Sequence, residues 1–148
     1  MKLFHNFFCR DIEAMSRYYQ AVLQLPEDAA SRSPIYRSIV TAHFQFGFHA
    51  PPAYELLQLS ELAPQQGQAI EPILTGYPTF MLDAPQVVDA AVQRAVAHGG
   101  RCIKGPYATY YGEWQAVLAD PEEHVFRFSC VGLPEGASTP TLSLPAST

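Results

Sequence analysis

The chain has 148 residues, 48% of them hydrophobic and 16% charged, with a formal net charge of −5. That length buries a core without disulfide or metal staples. The acidic balance argues against a nucleic-acid partner, which rewards clustered Lys and Arg. No apolar run approaches the roughly 20 residues of a membrane span, so no membrane partner is expected. The opening MKLFHNFFCRD carries no signal-peptide pattern. Cys9, Cys102 and Cys130 are odd in number and include no CxxC pair. They read as reduced core thiols in a cytoplasmic protein.

Taken in chain order, LFHNFFC is a short aromatic run with strong strand preference. Asp11 behind it is a plausible N-cap, and Ile12, Met15, Tyr19 and Val22 then recur at helical spacing. This predicts an amphipathic helix ending near Leu25-Pro26. Three strand-like runs follow, over 35–42, 43–49 and 54–60, with Pro51-Pro52 breaking between the last two. A Gln/Gly/Pro-containing linker covers 61–76.

The plan then repeats. PTFMLD reads as a strand and Ala84-Pro85 as a helix entry. Val88, Ala91, Val92 and Ala95 form the buried stripe, and Gly99-Gly100 supplies the stop. Strands are expected over 101–105, 113–119 and 124–130. The sequence therefore predicts one domain over 1–131, built from βαβββ modules at approximately 3–60 and 77–131. The tail 132–148 is rich in Pro, Ser and Thr, a disordered composition that is also compatible with a packing arm.

The closing run DPEEHVFRF holds one residue out of keeping with its neighbours. Asp-Pro-Glu-Glu is a turn, after which His124, Phe126 and Phe128 share one strand face and Val125 and Arg127 the other. An arginine in mid-strand marks a polar sheet face, and what it faces is the central question of the sequence.

The strand-Asp-helix opening HNFFCRDIEAMSRYY and the ending YYGEWQAVLADPEEHVFRF, set in two βαβββ modules, resemble the vicinal-oxygen-chelate superfamily. That group includes glyoxalase I, bleomycin-resistance proteins, fosfomycin-modifying enzymes and extradiol dioxygenases. The resemblance covers about residues 3–130. It implies an α+β fold in which the two modules form a cupped eight-stranded mixed sheet around a cavity, with helices outside. It also implies a metal held by His, Gln or Glu ligands at fixed offsets from the opening Asp and the DP turn. Carried onto this chain, those offsets fall on Phe4, approximately Tyr77, and Arg127; only Glu55, in YELLQL, keeps a family ligand type. Phenylalanine cannot ligate, and a guanidinium has no lone pair and repels a cation. The resemblance therefore predicts a cup with no metal and no other cofactor.

The histidines do not rebuild the site. His43 and His49 lie roughly 20 Å apart along a continuous strand, and His98 and His124 suit surface or capping hydrogen bonds. His5 would turn inward only through a register slip; the other reading packs it against the helix with a backbone hydrogen bond. Strand parity aims Phe4, Asn6 and Phe8 into the cup with Tyr77, Thr79, Met81, Val125 and Arg127. Trp114 and Tyr111 are expected near its mouth. The expected ligand-binding set is thus Phe4, Asn6, Phe8, Glu55, Tyr77, Thr79, Trp114 and Arg127. In the competing reading the aromatics fill the cup as a core and Arg127 pairs with Glu55.

Three functions follow. The first is a metal-independent protein binding a small aromatic or anionic molecule. The second is a lyase, isomerase or dioxygenase-type enzyme with a displaced metal or acid/base site. The third is an oligomeric structural or regulatory protein. A homodimer is expected, because paired chains cover open sheet edges.

Overall fold

The computed structural model describes residues 2–64 and 74–142. They form an α+β protein with two mixed sheets, one of three strands and one of four. The chain divides into two compact units: Met1–Gly76 with Pro121–His124, and Tyr77–Asp120 with Val125–Thr148. Most of the expected linker and the end of the tail, residues 65–73 and 143–148, lie outside the described residues.

The first unit runs β1 (Leu3–Phe8), α1 (Ile12–Leu23), β2 (Tyr36–Val40), β3 (Phe44–His49) and a short helix α2 (Ala53–Leu56). Asp11 caps α1 as expected, its Oδ1 accepting the Ala14 N–H at 2.9 Å. Gln24 in left-handed conformation ends the helix. The apolar stripe Ile12, Met15, Tyr19 and Val22 is buried against the β1–β3–β2 sheet, in which β1 runs parallel to β3 and β2 antiparallel to it. Phe7, Tyr19, Phe46 and Phe48 form an aromatic core, with ring centroids 4.8 Å apart for Tyr19–Phe46, 5.3 Å for Tyr19–Phe48 and 6.4 Å for Phe7–Tyr19.

The expected strand over 54–60 is not formed. Pro51-Pro52 presets helical φ, so the chain enters α2, and Gln58 then takes φ +58, which a strand does not tolerate. Leu56 and Leu57 are exposed, as adjacent leucines without a partner sheet must be. The first unit's last strand is therefore β3, the parallel partner of β1.

The second unit runs β4 (Thr79–Met81), α3 (Pro85–Ala97), β5 (Arg101–Ala108), β6 (Glu113–Ala119) and β7 (Val125–Val131), in sheet order β4–β7–β6–β5. Pro85 opens α3 as expected, and Val88, Ala91, Val92 and Ala95 are its buried face. They cover Ala116, Leu118, Phe126, Phe128 and Cys130 on the helix side of the sheet. Among the described residues there are seven strands in two sheets, not the eight of the sequence reading.

Candidate functional site

Arg127 lies on the face of the second sheet turned away from α3. The register sets it beside Thr79 of β4 and Val117 of β6. Its Nε donates to Thr79 Oγ1 at 3.0 Å, and its guanidinium carbon sits 5.2 Å from the centre of the Tyr77 ring, within cation–π range. No ion pair holds it among the described residues. Among the described residues this half-buried guanidinium has one hydroxyl and one ring as side-chain partners.

The same face carries a hydrogen-bonded polar row. Ser129 and Gln115 face each other across β7 and β6, and both are buried. Ser129 Oγ donates to Glu113 Oε2 at 2.5 Å. Tyr111 Oη donates to Gln115 Oε1 at 2.8 Å, and Gln115 Nε2 bonds to the Tyr107 hydroxyl. Tyr111 thus reaches the Arg127 face, while Trp114 does not. The Trp114 indole N–H donates to Asp89 of α3 at 2.7 Å, on the helix side that it shares with Ala116 and Leu118. Parity already carried this correction: Trp114, Ala116 and Leu118 alternate along one apolar face, opposite to Gln115. Glu55 also moves. It stands exposed on α2, where no strand register aims it anywhere.

In the first unit, Phe4, Asn6 and Phe8 point away from α1 as parity requires, while His5 and Phe7 face the core. Asn6 Oδ1 accepts from the Tyr36 hydroxyl at 3.1 Å, and Gln45 Nε2 donates to that hydroxyl at 3.1 Å. Gly47 lies beneath. A Cβ there would stand 2.2 Å from both Asn6 Oδ1 and the Tyr36 hydroxyl, so only glycine lets the phenol cross β3. The His49 ring lies 4.8 Å from Tyr36 and 5.7 Å from Phe8, and Phe8 stacks on Tyr54 at 3.7 Å. The His49 Nδ1 is buried without a hydrogen-bond partner among the described residues, and burial holds the ring's pKa below the ordinary value. A neutral imidazole with an unused nitrogen is therefore part of this face. Burial likewise raises the Tyr54 phenol, with a smaller contribution from Cys9. A cavity of about 470 Å³ opens beside it, with Phe8, Cys9, Arg10, Pro51 and Tyr54 among its walls.

Sequence reasoning missed Tyr36, Gln45, His49 and Tyr54. The signal was register: once β3 is the parallel partner of β1, Gln45, Gly47 and His49 must line up with Phe4, Asn6 and Phe8. His5 packs edge-on to Phe7 at 5.0 Å and near Phe46, on the helix side. Its Nε2 is buried without a partner among the described residues, and burial lowers its pKa. At the offsets the resemblance implies for metal ligands, Phe4 and Tyr77 offer neither imidazole nor carboxylate, and Arg127 is a cation.

Two α+β units, each with a polar face on its sheet, define a scaffold rather than a chemistry. Residues 3–129 match the glyoxalase-like domain family. The crystal structure of a glyoxalase/bleomycin resistance protein/dioxygenase family enzyme from Burkholderia phytofirmans PsJN is 42% identical. It covers 86% of this chain and 96% of its own, with a TM-score of 0.77. The chain belongs to the glyoxalase-like domain family, consistent with the vicinal-oxygen-chelate superfamily. A glyoxalase-related enzyme from Fulvimarina pelagi is 18% identical over 97% of this chain and 99% of its own, with a TM-score of 0.66. A glyoxalase/dioxygenase from Nostoc punctiforme is 18% identical over 88% and 90%, with a TM-score of 0.64. At that identity these two likenesses show the fold alone. A search of curated proteins gave no significant match.

Proposed function

We propose that the chain binds a small anionic aromatic molecule without the family's usual metal, with Arg127 as the anchor for the ligand's charge. The observation that carries this reading is the Arg127 guanidinium, half-buried on a sheet face, braced by Thr79 and Tyr77 and without an ion pair among the described residues. A carboxylate meeting it would gain charge-assisted, bidentate hydrogen bonds. Tyr77 supplies flat phenol surface beside it, and Gln115, Tyr107 and Tyr111 supply donors and acceptors on the same sheet face. Phe4, Asn6 and Phe8 lie on the first unit's own face and are proposed as ligand-contacting residues of that unit alone.

Calorimetry with matched acid and amide ligands tests the reading. The acid is expected to bind more tightly to the native chain, and Arg127→Ala is expected to abolish the difference. Equal affinity of the native chain for acid and amide would make Arg127 a structural residue. Arg127→Glu is expected to reverse the preference without recruiting a metal, because Phe4 and Tyr77 still offer no ligand. The proposal includes a cytoplasmic homodimer. Each sheet ends in two edge strands among the described residues, and no described helix is long and apolar enough to cross a membrane. A monomeric mass in light scattering at micromolar concentration would remove the dimer.

A second reading, an enzyme with acid/base chemistry, is favoured by one observation. Burial lowers the His49 pKa, and its Nδ1, beside Tyr36 and Phe8, has no partner among the described residues; a neutral imidazole is the state a general base requires. Substrate turnover lost in His49→Gln with unchanged folding would support it.

A further inference from the structure

Where β1 ends, three donor side chains meet that no part of the binding reading uses. Cys9 Sγ, a Glu122 carboxylate oxygen and a His124 ring nitrogen all lie within 4.8 Å of one another. The sequence supplies them from two places. Cys9 directly follows β1, whereas Glu122 and His124 come from the turn after Asp120, with Glu123 between them at φ +70.

We infer that Cys9, Glu122 and His124 form a site for a thiophilic divalent cation of the zinc class. One thiolate, one imidazole and one carboxylate are the donors such ions prefer, and three protein ligands leave a fourth position for water or a small ligand. Metal–ligand bonds near 2.0–2.3 Å set tetrahedral donors about 3.3–3.8 Å apart, so the three atoms need only small rotamer changes to close.

The surroundings already hold these groups as a metal site requires. His124 Nε2 lies 2.9 Å from the Phe8 carbonyl, and the ring stacks on Phe7 at 4.4 Å. A ring that donates from Nε2 to a carbonyl carries its lone pair on Nδ1, the orienting arrangement seen around ligating histidines. Glu122 is fixed by the Arg10 and Asp11 backbone N–H groups at 2.7 and 2.8 Å. Arg10 Nε approaches Glu122 at 3.6 Å, but its side chain is largely exposed and free to swing out when a cation enters. The Cys9 backbone N–H donates to the His49 carbonyl at 2.8 Å, which anchors the strand end. Cys9 also lines the 470 Å³ cavity, so an ion here would have a side open to small molecules. On binding, the Cys9 thiol gives its proton to solvent and ligates as thiolate.

The test is titration of the reduced, untagged, chelator-treated chain with cadmium, read by the ultraviolet thiolate-to-cadmium charge-transfer band. One equivalent should bind with the band. Cys9→Ser should lose the band and at least about a hundredfold in affinity. Glu122→Gln and His124→Gln, which keep the hydrogen-bonding shape, should each lose about tenfold to a hundredfold. Circular dichroism reports folding, and if Cys9→Ser does not fold the other two variants decide. No band, a band that survives in Cys9→Ser through Cys102 or Cys130, or variants that bind like the native chain would overturn the site. None of these readouts depends on Arg127, so the metal site and the binding reading fail separately.

Discussion

The two units repeat one plan and differ at its centre. In each, a strand leads through a helix to a later strand that runs parallel to the first, β1 with β3 and β4 with β7. Asn6 and Thr79 stand at equal distances before the helix-capping residues Asp11 and Ala84. Across the parallel pair, Asn6 faces Gly47 whereas Thr79 faces Arg127. The first unit leaves space at that position and fills it with the Tyr36 phenol from a neighbouring strand. The second fills it with charge. One duplicated scaffold thus presents an aromatic, amide-lined face in one unit and a cationic face in the other.

The largest expected effects fall where the units agree. Phe46→Ala and Phe128→Ala remove fully buried rings from the helix side of each sheet. Each should cost about 3–5 kcal/mol in urea unfolding. A silent Phe128→Ala would break the equivalence of the two cores. The next effects separate the units. Arg127→Ala should weaken binding of an aromatic acid by about 1.5–3 kcal/mol while changing stability by less than about 1 kcal/mol. Gly47→Ala should do the opposite, costing about 1–3 kcal/mol of stability because its Cβ meets Asn6 and Tyr36. If Gly47→Ala were neutral, Tyr36 would not cross β3 as described.

The smallest effect is in pH dependence and belongs to the first unit. Burial depresses the pKa of His5 and His49. A group with a lowered folded-state pKa contributes stability that is full above the unfolded-state pKa and is lost as pH falls through the folded-state value. Stability should therefore begin to fall below about pH 6.5, the ordinary histidine range. Glu13 adds a second decline at lower pH, since its hydrogen bond with Arg37 holds its pKa below the usual carboxylate range. His5→Phe, which suits the aromatic surroundings of Phe7 and Phe46, should flatten the first decline in melting temperature without touching the second. An unchanged profile would remove His5 from the account.

Much of this plan was legible in the chain. The Asp11 cap, the Ala84-Pro85 entry, both helical stripes and the alternation that isolates Arg127 follow from local spacing, and local hydrogen bonds enforce them. What was not legible depended on pairing between distant strands. Expecting a strand at 54–60 hid β3 as the partner of β1, and with it the row Gln45, Gly47 and His49. The double proline and the left-handed Gln58 are the physical reasons that strand does not form. Trp114 was misplaced by favouring an aromatic wall over the parity that its own strand displays.

The central claim is that Arg127 is the ligand's anchor, and a crystal structure of the chain with a small aromatic carboxylate bound tests it most directly. The carboxylate should lie about 2.7–2.9 Å from the Arg127 guanidinium nitrogens, with its ring against Tyr77 or Tyr107. A carboxylate bound elsewhere, with Arg127 still held only by Thr79 and Tyr77, would contradict the account.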